Sequence, residues 1–269
     1  DLMPINSLLY PANSAVAGVY DVDNSVRLNG TSSYLQKTPS SAGNRRTWTF
    51  STWFKKNKQS SSAQQKIFSV AGGGSNNFEC YFNTNDTLAF YQYTSGGTNA
   101  FLGTNQVFRD TSAWYHLVLS VDTTQGTASN RVKMYVNGEQ VTSFSTAIYF
   151  NLNFDTFVNS TGEHRIGANL NSSQYFDSYL AETVLIDGQQ LAQTDFGQFD
   201  EDSGIWKPKD VSSLTAGTNG FYLDFKESGN LGNDSFGGTD LTEANLSAID
   251  QTTDTCTNNF ATLNPLSVS

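Results

Sequence analysis

The sequence predicts an all-β protein built as an antiparallel two-sheet sandwich, and three observations support this prediction. Short segments of alternating apolar and polar residues recur about every dozen residues, with turn residues between them and no helical spacers. The segment 132–137 alternates in this way and runs into Asn137-Gly138, a pair that strongly favours a tight hairpin. Only 15% of the 269 residues are charged and 13% are aromatic, which suits short strands around an aromatic core.

The strands follow one another along the whole central part of the chain. Thr47–Lys56 illustrates the pattern, with Trp48, Phe50 and Phe54 on one face and Trp53 on the other. The Gln189–Phe196 segment is the single predicted helical turn. The other predicted strands are Ser25–Gly30, Ser33–Gln36, Lys66–Val70, Asn77–Phe82, Leu88–Tyr93, Trp114–Asp122, Val132–Asn137, His164–Ala168, Tyr179–Ile186 and Gly220–Phe225.

The composition shifts divide the chain into three parts. Residues 1–24 are a turn-rich connecting segment, residues 25–226 form the sandwich, and residues 227–269 are a polar segment after which a further domain is left open. The chain begins with Asp1 rather than methionine, and both ends suggest a processed protein or a portion of a longer one. The sequence contains no signal peptide and no apolar run long enough to span a bilayer.

The net charge and the cysteines limit the partners. A net charge of −10 argues against nucleic acid and anionic lipid, because both bind basic surfaces, whereas an acidic surface favours divalent cations. Cys80 and Cys256 are expected to be free thiols, although their spacing leaves a disulfide bond open.

Several segments resemble the laminin-G-like and concanavalin A-like family of jelly-roll sandwiches, and the likeness extends over residues 25–196. Ser178 stands where that family usually has glycine. The resemblance implies a jelly-roll fold and a protein that binds sugars, proteins or calcium rather than an enzyme. The matching segments are Leu28–Leu35, Thr47–Phe54, Trp114–Val121, Tyr175–Glu182 and Ile186–Leu191 followed by Asp195-Phe196.

Three further stretches, Thr38–Trp48, Phe199–Lys209 and Thr257–Pro265, resemble long virion proteins of marine bacteriophages that carry this jelly roll. This second resemblance implies a place on the virion, at the tail or the capsid surface, with other virion proteins as partners. It also implies a homo-oligomer, with a trimer favoured because phage fibre proteins are usually trimers. A family role does not specify which part of the virion the protein occupies.

The sequence offers no catalytic constellation. The strand Ala181–Asp187 supplies only Glu182 to one face, because Asp187 has the opposite parity and the three-carboxylate pattern of laminarinase-type enzymes is missing. No nucleophile elbow, phosphate loop or zinc motif occurs. His116 is predicted to be a hydrogen-bonded core histidine, and His164 lacks a catalytic partner. We therefore expect a non-enzymatic protein.

Aromatic residues near turns are the candidate sugar contacts, because their faces can stack on pyranose rings. The candidates are Tyr91, Tyr93, Tyr149, Tyr175 and Trp206. Trp206 ranks below the tyrosines, since the Trp-Lys-Pro turn can instead plug the base of the sandwich.

Calcium is the candidate ion, because hard cations bind clusters of oxygen ligands in loops. Asp21, Asp23, Asp200 and Asp202 are the candidate ligands, and the reading of these residues as solvated acidic turns stays open.

Taken together, these features favour a phage tail fibre or receptor-binding protein that recognises a host surface glycan. The alternatives are a capsid decoration or cement protein with purely structural contacts and, with no residues to support it, a polysaccharide depolymerase.

Overall fold

The computed structural model describes residues 20–60 and 62–259, which form two antiparallel sheets packed as a jelly-roll sandwich, as the sequence predicts. The predicted helical turn shrinks to a 3-10 turn at Gln193–Asp195, and two more 3-10 turns occur at Ala128–Asn130 and Ala248–Asp250. The strands of the first half are β1 (Ser25–Asn29), β2 (Tyr34–Lys37), β3 (Thr47–Lys56), β4 (Gln65–Gly73), β5 (Asn76–Phe82), β6 (Thr87–Thr94), β7 (Gly97–Val107), β8 (Tyr115–Asp122) and β9 (Val132–Val136). Those of the second half are β10 (Glu139–Gln140), β11 (Phe144–Ile148), β12 (His164–Ile166), β13 (Asp177–Asp187), β14 (Gly197–Phe199), β15 (Trp206–Pro208), β16 (Phe221–Leu223), β17 (Thr242–Ala244) and β18 (Gln251–Thr252).

The two large sheets each contain eight strands. The first sheet has the order β10-β9-β8-β3-β13-β1-β18, and β16 pairs with the second half of β13. The second sheet has the order β11-β7-β6-β5-β4-β12-β2-β17. Strands β14 and β15 form a separate two-stranded hairpin.

The core lies between the facing sides of the two sheets and is mainly aromatic. Trp48, Phe50 and Phe54 of β3 enter it, whereas Trp53 lies in a separate cluster outside the first sheet, which confirms the predicted alternation. The rings of Phe50 and Phe68 bring the two sheets into contact with centroids 4.7 Å apart. This close aromatic packing fixes the positions of the strands that carry the outer-surface residues.

The hairpin predicted at Asn137-Gly138 is present between β9 and β10. Both residues have positive φ values, 49° and 82°, as a type I′ turn requires. The turn therefore fixes the register of the first sheet's edge.

Three strands of the second sheet, β7, β11 and β17, were not predicted. The C-terminal boundary also differs from the expected one at residue 226, because β17 adds to the second sheet and β18 to the first. The described part of the segment 227–269 therefore belongs to the sandwich. Residues 1–19 of the expected connecting segment, and residues 260–265 of the phage-like stretch, lie outside the described residues.

Cys80 is buried in β5 and Cys256 is partly buried, and both are free thiols. Among the described residues, no helix has the length and apolar character needed to cross a membrane.

Candidate functional site

The outer face of the second sheet carries two tyrosines of β6 that the sequence singles out as sugar contacts. Successive side chains of a strand point to opposite sides, so Phe90 and Gln92 are buried while Tyr91 and Tyr93 stay half-exposed. The two rings are nearly parallel, with 15° between their planes and 6.3 Å between their centroids. The strand therefore presents two neighbouring aromatic rings to solvent.

Strands β7 and β11 extend this aromatic surface across the sheet. Phe101 lies opposite Tyr91, and its ring meets the tyrosine edge to face with centroids 5.5 Å apart. Ile148 lies opposite Phe101 and is 43% exposed. We call Tyr91, Tyr93, Phe101 and Ile148 the outer strip. A contiguous apolar surface of this kind, on a face surrounded by polar residues, is a feature of interaction sites.

Polar atoms without partners lie beside the outer strip. Asn77 is opposite Tyr93, and Asn99 lies in β7 at an irregularity in its pairing with β6, between Thr98 and Ala100. The side-chain oxygens of Asn77, Asn99 and the nearby Ser69 have no hydrogen-bond partner within the described part of the chain. Buried polar atoms are normally hydrogen-bonded, so these three oxygens are exceptions on this face of the sheet.

The cations on this face are each matched by a carboxylate. Lys66 contacts Glu79 at 2.7 Å, and its ammonium lies 3.7 Å from the centroid of the Tyr81 ring. Burial lowers the pKa of Lys66, and the charge of Glu79 opposes that shift. Arg165 forms an ion pair with Glu163 and covers the ring of Tyr34. The electrostatics of the face therefore favour a neutral ligand over a charged one.

The other two predicted tyrosines do not join the pair on β6. Tyr149 directly follows Ile148 but packs against the core. Tyr175 lies before β13, where its ring is 6.3 Å from that of Tyr34 and lines a cavity of about 130 Å³. Phe101, which belongs to the strip, was missed because the Gly- and Asn-containing sequence of β7 does not read as a strand.

Trp206 is not available as a sugar contact, which corrects the prediction. Its side chain is buried on the outer side of the first sheet, where its indole N–H donates to Nδ1 of His116 at 2.9 Å. A Cβ atom at Gly138 or Gly197 would collide with the indole ring, so both backbones lie directly against it. Trp206 therefore holds the β14–β15 hairpin on the sheet, as the plug interpretation expected.

The four aspartates proposed for calcium are not gathered into a cluster. Asp21, Asp23 and Asp202 are exposed, whereas Asp200 accepts hydrogen bonds from Lys207 at 2.6 Å and from Ser203. These bonds, led by that of Lys207, hold the pKa of Asp200 below its usual range. Within the described residues, no three His, Cys, Asp or Glu side chains come together as metal ligands. Calcium binding stays a prediction without a ligand cluster to support it.

The family model described as the concanavalin A-like lectin/glucanases superfamily matches residues 29–193, more than half of the chain. The chain belongs to this superfamily. Its matched region includes every residue of the outer strip. A search of curated proteins finds no match.

One of three similar solved structures has a TM-score above 0.5 and supports the fold, and all three have low sequence identity to this chain. A Bacteroides ovatus protein described as a "putative carbohydrate binding protein" is 15% identical and has a TM-score of 0.58, over 83% of this chain and 58% of that one. A pentraxin from Limulus polyphemus is 16% identical, with a TM-score of 0.46 over 65% of this chain and 80% of its own. The CBM40 of Ruminococcus gnavus IT-sialidase is 14% identical, with a TM-score of 0.43 over 60% of this chain and 89% of its own.

This concanavalin A-like domain buries the titratable groups that could resemble catalytic residues. Glu182 accepts hydrogen bonds from Tyr222 at 2.8 Å and Tyr20 at 3.1 Å, and burial raises its pKa to about 7. Burial lowers the pKa of His116 to about 3 and that of His164 to about 4. His116 is thus the hydrogen-bonded core histidine that the sequence predicts, and its imidazole is neutral.

Proposed function

We propose that this domain binds neutral glycan chains on the outer strip. The observation that carries the proposal is the pair of nearly parallel rings of Tyr91 and Tyr93, extended by Phe101 on the neighbouring strand. Aromatic faces bury the apolar faces of sugar rings, so the two tyrosine rings and Phe101 form a surface on which pyranose rings can stack. The superfamily and the description of the Bacteroides ovatus protein support this ligand class.

A glycan array compares the full chain with the double variant Tyr91→Ala/Tyr93→Ala. We expect the wild type to bind a subset of neutral glycans and the double variant to lose at least about tenfold in affinity, since each ring contributes about 1 kcal/mol of contact. Ile249→Ala is the control, because it removes an exposed apolar side chain outside the strip. Absence of glycan binding by the folded wild type would refute the proposal.

We further propose that the domain works without catalysis on a phage particle, as part of a tail fibre or receptor-binding protein that adheres to a host surface glycan. The three phage-like stretches support this context, and fibre proteins of that kind favour a trimer. Copy number per virion tests it, because a fibre protein is present in a few or a few tens of copies and a capsid decoration protein in hundreds. Release of reducing sugar from host polysaccharide would contradict the non-enzymatic role.

A further inference from the structure

Three reactive side chains meet where the C-terminal segment lies against the first sheet. Lys55 belongs to β3, the central strand of that sheet, whereas Asp254 and Asn259 follow β18. The Nζ atom of Lys55 contacts Oδ2 of Asp254 and donates a hydrogen bond to Oδ1 of Asn259 at 3.1 Å. A nucleophilic amine therefore lies beside both a carboxyl group and a primary amide.

The amine and the carboxyl group are enclosed by aromatic rings. The side chain of Lys55 is 2% exposed and that of Asp254 is 7% exposed. The ring centroids of Trp114 and Tyr179 lie 5.8 and 5.2 Å from Nζ. Burial disfavours the charged forms of both groups, so the ammonium can pass a proton to the carboxylate and become a neutral amine. Only the neutral amine carries the lone pair that a nucleophile needs.

The amide of Asn259 is held at both of its polar atoms. Nδ2 donates to the backbone carbonyl of Ser112 at 2.9 Å, while Oδ1 accepts from Lys55. The carbonyl carbon Cγ is one bond from Oδ1, which brings it close to the amine. The backbone of Asp254 is fixed as well, because the hydroxyl of Ser25 donates to its carbonyl at 2.6 Å. Reactants that are already positioned in this way react faster, since the entropic cost of bringing them together has been met by folding.

The carboxyl group of Asp254 is placed to move protons rather than to be attacked. Its Oδ1 accepts from the indole N–H of Trp114 at 3.2 Å, which holds the group beside the amine. Attack on its own carbon would release water and would need a second acid. No second carboxyl group contacts Lys55 within the described part of the chain. The amide of Asn259 is therefore the electrophile.

We infer that Lys55 and Asn259 form an intramolecular isopeptide bond, with Asp254 as the proton carrier. The lone pair of Nζ forms a bond to Cγ of Asn259, and Asp254 carries a proton from Nζ to Nδ2. The Cγ–Nδ2 bond then breaks, and ammonia leaves with the electron pair. The ammonia takes the proton that Asp254 received from the Lys55 ammonium, so an ammonium ion is released and the carboxylate is restored. The step needs no oxidant, nucleotide or metal ion.

This bond would tie the centre of the first sheet to the segment that follows β18. A covalent cross-link restricts the unfolded chain, and the restriction grows with the length of the closed loop. The loop from Lys55 to Asn259 includes most of the sandwich. The cross-link therefore makes the domain harder to unfold, and it is independent of glycan binding.

Mass spectrometry of the denatured full chain tests this bond. We expect an intact mass lower than that of the sequence by one ammonia molecule. Digestion with trypsin should leave Lys55 uncleaved and release a branched peptide that joins it to Asn259. Asn259→Ala and Lys55→Arg should both show the full mass, because one removes the amide and the other the nucleophilic amine. Asn258→Ala is the matched control and should keep the cross-link, since it changes a neighbouring exposed asparagine.

A time course after refolding tests the role of Asp254. Asp254→Ala should form the branched peptide about a hundredfold more slowly or not at all, as expected when a general acid and base is lost. Melting curves accompany every variant, and Asn259→Ala should fold because Asn259 is exposed.

Three results would overturn the assignment. The first is a folded wild type that keeps the full mass. The second is a loss of ammonia that persists in Asn259→Ala or maps to a succinimide within one unbranched peptide. The third is a loss of water with the branch at Asp254, which would make the carboxyl group the electrophile.

Discussion

The imidazole of His116 packs near the indole rings of Trp53 and Trp206, with centroids 4.7 and 6.0 Å away. An indole N–H only donates, so Nδ1 of His116 must accept from Trp206, and the proton sits on Nε2, which donates to Ser51 at 2.8 Å. Both ring nitrogens are thereby satisfied in the neutral form. The contact makes Trp206 a structural residue.

Trp206→Phe should lower the free energy of unfolding while leaving glycan binding unchanged. The substitution removes the donor to Nδ1 of His116, and an unsatisfied buried nitrogen costs about 1–3 kcal/mol, to which the smaller ring adds a packing defect. Urea unfolding measures the loss, with Tyr93→Phe as a control that alters only a half-exposed hydroxyl. Loss of glycan binding at unchanged stability would instead make Trp206 a ligand contact.

Glu182 makes the stability of the domain depend on pH, and the direction of this dependence follows from its raised pKa. Its pKa rises from 4.5 to about 7 on folding, mainly through burial, so the unfolded chain releases this proton at lower pH than the folded chain. The carboxyl therefore contributes full stability below 4.5 and loses it as the pH rises through about 7. Glu182 has a positive φ of 48° and lies at a bulge of β13. On one side of the bulge β13 pairs with β1, and on the other side it pairs with β16.

Glu182→Gln should remove this dependence. We compare the free energy of unfolding of the wild type with that of the variant. The difference, wild type minus variant, should fall by roughly 3 kcal/mol between about pH 4 and pH 8, which is the energy equivalent of the pKa shift. The two buried histidines destabilise the fold at low pH in both proteins, so their contribution cancels in the difference. Denaturant unfolding across this pH range measures it, and parallel pH profiles would show that Glu182 titrates normally.

Among the strands, alternation of apolar and polar residues predicted those in which large apolar side chains occupy one face. Strands β3 and β9 read clearly because large apolar residues occupy every second position. Strand β7 did not, since its Gly, Asn and Thr residues have weak strand preference and its pairing with β6 stabilises the strand conformation. Tyr91 and Tyr93 were found for the first reason, and Phe101 was missed for the second.

The β14–β15 hairpin is held through Gly197, whose backbone lies against Trp206. A Cβ atom there would be 2.5 Å from Cζ2 of Trp206, so Gly197→Ala should destabilise the domain by about 1–3 kcal/mol through overpacking. Gly126→Ala is the control, because nothing lies within 4 Å of its Cβ position and no positive φ is required. Thermal unfolding compares the two variants. Equal melting temperatures would mean that the hairpin shifts away from Trp206 at little cost to accommodate the added methyl group.

At the scale of the whole molecule, distant segments complete both sheets. Strand β18 pairs with β1 at one edge of the first sheet, and β17 pairs with β2 at one edge of the second. Residues 242–252 therefore cover edges formed by residues 25–37. Lys55 is buried and forms an ion pair with Asp254, and removing one member of such a pair is costly. Sequence patterns did not reveal this closure, because two- and three-residue strands have no periodicity and depend on their neighbours.

An NMR titration of the full chain with its best array glycan tests whether the glycan binds on the outer strip. Binding on the strip should produce amide shift changes concentrated on β5, β6, β7 and β11, around Tyr91, Tyr93 and Phe101. Changes confined to the first sheet or to the loops, with the amides of β6 unaffected at saturation, would contradict it.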